Sequence, residues 1–126
     1  MYTAIYEAHR GFAMLGVALT VVWAALALLP ALTGRPVSRL WRPAYILAMA
    51  TTGLSGITGL VVLWLGNWLS FVFPWLGLAA VALHGVAGVR GRKALAAGAG
   101  GALKAALAVQ IVTLVVVYAL MTLRPF

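Results

Sequence analysis

The side chains that could do chemistry in this chain are few and lie in or beside long apolar runs. His84 and Gln110 each sit inside such a run. His9 sits at the edge of another, in the string Tyr6-Glu7-Ala8-His9-Arg10. An imidazole can move a proton, ligate a metal, or accept and donate hydrogen bonds to a ligand. Inside a membrane span such a group marks a functional site by default, because burying it in hydrocarbon is costly. Glu7 is the one acidic side chain in 126 residues. Arg10 follows it by three positions, so the two can pair on one helical face, with His9 beside them. An acid, an imidazole and a guanidinium then gather at one mouth of the protein.

Each of these groups has a structural alternative. His84 shares a face with Ala80 and Gly88, a stripe of small residues that lets helices approach closely. It is read either as a neutral histidine bonded to a neighbouring helix or as a ligand-binding or proton-handling group. The Glu7, His9, Arg10 cluster is read either as an interfacial anchor, with Tyr2 and Tyr6 as belt residues, or as a site. Gln110 lies seven residues into its run from one side, and His84 lies six residues before Arg90 on the same side. Their depths match, and the two are expected to be neighbours.

Two histidines suggest a b-type haem between them, but His9 lies at the edge of its run and His84 is deep in another. Helix rise separates their levels by roughly 20 Å, so they cannot sandwich one iron. A haem or a quinone would have to be held by His84 with Gln110, or by the His9 cluster, with some further ligand. With no cysteine and one carboxylate, no ordinary metal-ligand set can form within one chain.

These residues must be positioned by membrane helices. The chain is 65% hydrophobic and 8% charged, against about half and a quarter for a soluble domain. Too little charge is present to cover a water-facing surface, which excludes a soluble domain, a disordered tail and a disulfide-stapled secreted fold. A span needs ~20 apolar residues. Four stretches qualify: 11–32, 44–65, 69–89 and 103–123. The expected fold is all-α, an antiparallel four-transmembrane-helix bundle forming a single domain over 1–126. The first run is too long for the apolar core of a signal peptide and is read as a retained span. Gly66-Asn67-Trp68 is read as a tight turn that makes spans two and three antiparallel neighbours. The stretch 90–102, with Gly91, Gly98, Gly100 and Gly101, is read as a flexible connection. Pro74 is expected to bend the third helix and open a groove.

Charge orients the bundle. Arg35, Arg39, Arg42, Arg90, Arg92, Lys93 and Lys104 lie in or beside the first and third connections; only Arg10 and Arg124 lie at the other end. The positive-inside rule places the basic connections in the cytoplasm and both termini outside, in the cell's inner (plasma) membrane. The net charge of +8 is split between two short connections. That suits orientation and anionic lipid rather than nucleic acid.

The second span carries Thr51, Thr52, Gly53, Ser55, Gly56, Thr58 and Gly59, small residues suited to close packing. Tyr2, Tyr6, Phe12, Trp64, Trp68, Phe71, Phe73, Trp75, Tyr118 and Phe126 map to the outer half, more than a belt requires. Gly53, Ser55, Gly56, Gly59, Trp64, Trp68 and Trp75 are therefore read as an interface toward a partner subunit or a second copy, or toward quinone, pigment or lipid.

The four-span plan, the histidine near the start of the first span (His9) and the tail Tyr118-Ala119-Leu120-Met121-Thr122-Leu123-Arg124-Pro125 resemble the SirB-type small bacterial membrane proteins and the related small protoporphyrinogen-oxidase-like family. The resemblance implies the same helical plan. The basic residues that the porphyrin-oxidising family carries within its spans have no counterpart here, so the resemblance does not extend to that activity. Small multidrug transporters carry a carboxylate inside their first span, whereas Glu7 lies outside it.

Packing features are abundant and catalytic groups nearly absent. The function expected is a non-catalytic integral membrane subunit or accessory protein of a larger bioenergetic complex or homo-oligomer. The alternatives are a haem- or quinone-binding membrane protein using His84 or the His9 cluster, and a small transporter coupled through His84.

Overall fold

A computed structural model describes residues 1–124. Four helices follow one another: α1 (Tyr2–Thr33), α2 (Trp41–Leu65), α3 (Phe73–Ala96) and α4 (Gly100–Leu123). All four are long and apolar enough to cross a membrane. Pro125 of the family-like tail and Phe126 of the outer aromatics lie outside the described residues.

Contacts between helices run in opposite directions along each neighbouring pair. Along α1, His9 faces Gly59, Gly16 faces Thr52, and Trp23 meets Tyr45 of α2. Along α3, Gly77 faces Met121 and Gly91 faces Ala106 of α4. Gly56 and Gly88 likewise place α2 and α3 antiparallel, against Val81 and Met49. The bundle is therefore up-down-up-down. α1 packs most closely on α2 and α3 on α4, so it is two helical hairpins laid together, with lighter contact between α2 and α3 and between α1 and α4.

The helix boundaries depart from the sequence expectation at three places. α1 begins at Tyr2 and carries Glu7, His9 and Arg10 in its first turns. The middle connection spans 66–72, longer than the expected three-residue turn. Asn67 takes a left-handed conformation (φ 57°), and Trp68 N–H donates to the Leu63 carbonyl. α3 then starts at Phe73, with Pro74 in its opening turn, where a missing N–H costs nothing. Pro74 also lines a cavity between the hairpins. At the other end α3 continues to Ala96, because Arg90 to Ala96 holds good helix formers. The connection expected to be long and flexible is the short turn 97–99. There Gly98 is left-handed (φ 67°), and Ala99 N–H donates to the Ala94 carbonyl at 2.9 Å.

The core is concentrated at the basic end of the hairpins. Trp23, Ala24, Ala27, Ala44, Tyr45, Ala94, Leu103 and Leu107 form one buried cluster. Trp23 is fully enclosed and meets Tyr45 edge-on at 5.2 Å and Trp41 at 5.9 Å between ring centroids. At the opposite end, which carries both termini, the hairpins leave space between them.

Candidate functional site

Two polar arrangements occupy the bundle: a closed one in its middle and an open one at the terminal end.

The closed arrangement draws on all four helices. Trp23 of α1 donates its indole N–H to Gln110 Oε1 of α4 at 3.0 Å. An indole can only donate, so this bond sets the amide orientation and turns Gln110 Nε2 toward α3. There Nε2 donates to the His84 carbonyl at 3.3 Å and lies 3.5 Å from His84 Nε2. His84 Nε2 is also 3.2 Å from Thr20 Oγ1. Met49 of α2 completes the ring, with its sulfur 3.9 Å from Gln110 Nε2. His84 and Gln110 are thus neighbours, both almost wholly buried. Gly88 makes room for them: a Cβ there would lie 2.7 Å from Gln110 Nε2 and 2.5 Å from the Met49 sulfur.

His84 is incompletely paired. Its Nδ1 is buried without a hydrogen-bond partner among the described residues. Either tautomer therefore leaves one ring nitrogen bare. His84 lines neither of the two cavities described below. Its surroundings serve to lock two hairpins in register.

The open arrangement is a partly open cavity of about 140 Å³ between the hairpins at the terminal end. His9 reaches it from α1, Ser55, Gly56 and Gly59 from α2, Phe73, Pro74 and Gly77 from α3, and Met121 and Arg124 from the end of α4. Glycines in its wall let the neighbouring side chains approach closely. A Cβ on Gly77 would come within 2.6 Å of Met121 Cε, and one on Gly59 within 3.1 Å of the His9 ring. Trp68, Phe71 and Phe73 cluster with centroids 5.3 to 6.1 Å apart at its edge, and the Arg124 guanidinium lies 5.3 Å over Trp68.

His9 is the imidazole of the cavity wall, and its tautomer follows from its contacts. Nδ1 lies 2.9 Å from the Ser55 carbonyl, which can only accept. In the neutral ring the hydrogen is therefore on Nδ1, and Nε2 carries a lone pair. Nε2 has no protein hydrogen-bond partner among the described residues. The Thr58 hydroxyl, 3.4 Å from Nδ1, bonds back to the Leu54 carbonyl of its own helix at 2.7 Å. Glu7 and Arg10 pair with each other at 3.2 Å on the exposed face of α1. Arg10 reaches the cavity rim, while Glu7 does not line it.

The remaining sequence candidates divide. Ser55, Gly56, Gly59 and Trp68 belong to the cavity. Gly53 has open space where a Cβ would stand. Trp64 is 72% exposed, and Trp75, half exposed, donates its N–H to the Leu69 carbonyl at 3.1 Å. Sequence reasoning did not single out Thr20, Met49 or Gly16, and it took Gly88 only as part of the small-residue stripe beside His84. Thr20 and Trp23, three apart in the most apolar helix, were the available signal for a polar face toward His84 and Gln110. Among the described residues no group of three or more histidine, cysteine or acidic side chains could hold a metal ion. Comparison with protein-family models, with curated proteins and with solved structures finds no match for this chain.

Proposed function

We propose that the chain is a non-catalytic integral membrane subunit that holds a quinone-type molecule in the cavity walled by His9. The carrying observation is the His9 ring. Its Nδ1–H is committed to the Ser55 carbonyl, which leaves the Nε2 lone pair free on a residue of the wall of a largely apolar cavity. A quinol hydroxyl is a matching donor, and the Arg124 guanidinium at the same cavity is a donor for a quinone oxygen. Size favours a single ring. An apolar cavity of roughly 150 Å³ holds one benzene, and this one is about 140 Å³. A haem macrocycle needs far more room, so the haem alternative is the weaker. The light contact between α2 and α3 offers an isoprenoid tail a way to lipid.

The uneven spread of basic residues supports a topology with basic connections cytoplasmic and both termini outside, in a plasma membrane. Membership of a larger assembly is supported by the unfilled face at Gly53 and the exposed Trp64. The test is solvent extraction and an absorption spectrum of protein purified in mild detergent from native membranes. The proposal expects co-purifying quinone that is lost in His9→Ala, with no Soret band. A Soret band would replace quinone by haem, and preparations free of both would refute the ligand. A monodisperse monomer without partner proteins would refute the subunit role.

A further inference from the structure

A second concavity lies at the basic end, between the start of α2 and the end of α3. Its volume is about 340 Å³, and it is bordered by Trp41, Arg42, Tyr45, Ile46, Arg92 and Lys93. Three cations thus converge on one groove. The chain's one acidic side chain, Glu7, is at the opposite end and is paired there with Arg10. No carboxylate side chain borders the groove to neutralise it. The Arg92 guanidinium is held 5.7 Å over the ring of buried Tyr45, which limits its freedom before any ligand arrives. The first turn of α2 has no side-chain cap, and its positive end opens beside Arg42. Below the cations, toward the middle of the bundle, the wall turns apolar at Ile46, which is 56% exposed.

We infer that this groove binds the phosphate of an anionic phospholipid, with its acyl chains running down the α2 face past Ile46. Arg42, Arg92 and Lys93 are the donors. Arg offers a fork to two phosphate oxygens and Lys a point charge. The combination of cations with an apolar wall is what separates a lipid phosphate from a free one. Basic pockets between spanning helices at the headgroup level are suited to such lipids. This inference is independent of the ligand proposed for the opposite end.

Native mass spectrometry of the full chain in detergent, titrated with phosphatidylglycerol and separately with phosphatidylcholine, tests it. The expected result is one tightly held phosphatidylglycerol per chain, and none of phosphatidylcholine at equal concentration. In the triple variant Arg42→Gln, Arg92→Gln, Lys93→Gln the apparent Kd rises by about tenfold or more. The double variant Arg35→Gln, Arg39→Gln, which removes charge from the neighbouring connection, leaves it unchanged. Arg92→Lys keeps most of the binding and guards against misfolding as the cause. Equal weakening in the double and triple variants would overturn the site in favour of diffuse charge attraction. Equal retention of both lipids would overturn the preference for a net anionic headgroup. Displacement by excess inorganic phosphate would overturn the lipid.

Discussion

The Trp23 indole N–H and Gln110 Oε1 meet at 3.0 Å across 87 residues of chain, and both side chains are fully enclosed. This bond joins the first hairpin to the second at the level where Thr20 meets His84. It sits beside the aromatic core of the basic end. The consequence is a bundle closed at one end and hollow at the other.

Gln110→Leu should therefore cost more stability than His84→Leu. The first change leaves the donor-only Trp23 N–H bare in the interior, at about 1–3 kcal/mol. The second leaves Thr20 free to bond to its own helix, and it removes the unpartnered Nδ1. Measured couplings in membrane bundles average near 0.6 kcal/mol, which sets a floor of about 0.6 kcal/mol for Gln110→Leu. Reversible unfolding in mixed detergent measures both, and His84→Leu as the costlier change would contradict this account.

Two glycines should resist even a methyl group. Gly16→Ala places a Cβ 2.7 Å from Thr52 Oγ1 and 3.3 Å from the Thr52 backbone nitrogen, which cannot swing away. Gly88→Ala meets Gln110 and Met49. Each is expected to destabilise by about 1–3 kcal/mol. Gly53→Ala meets nothing within 4 Å and should be neutral in the isolated chain. A shift in melting temperature for Gly53→Ala comparable to the other two would be inconsistent with the packing described.

Much of this fold was legible in the sequence, because hydrocarbon leaves backbone few choices. The four apolar runs became four helices, and depth counting from Arg90 alone put His84 beside Gln110. The boundaries were less legible. Hydropathy marks where apolar residues stop, but α3 continues through Arg90 to Ala96, since helix propensity does not follow polarity. Leu69 to Val72 is mostly apolar, with Ser70 the exception, yet precedes the helix, which starts where Pro74 can open it. The cavity was least legible. Gly56 and Gly59 read as close-packing residues, and that holds for both: a Cβ at Gly56 would lie 3.2 Å from Val81 and one at Gly59 3.1 Å from the His9 ring. The same residues also line the cavity. Whether a hollow lies beside such a contact depends on the facing helices, which one sequence does not specify.

The absence of native cysteine makes orientation easy to measure. Single cysteines at Glu7 and at Lys93 should react with a membrane-impermeant maleimide from opposite sides. In intact cells only the Glu7→Cys variant should label, and Lys93→Cys should label only after the membrane is opened. The reverse pattern would invert the proposed topology while leaving the bundle intact.

The central claim is that the His9 cavity is a ligand site, and titration with a short-chain quinol tests it most directly. Detergent-solubilised protein should bind one quinol per chain, saturably. His9→Ala, which removes the acceptor, and Val117→Phe, which fills space at a lining position, should each weaken binding at least about tenfold, the equivalent of one lost hydrogen bond of roughly 1.4 kcal/mol. Both variants should keep the wild-type melting temperature within a few degrees. Binding that persists unchanged in both variants, or no saturable binding to the wild-type protein, would contradict the account.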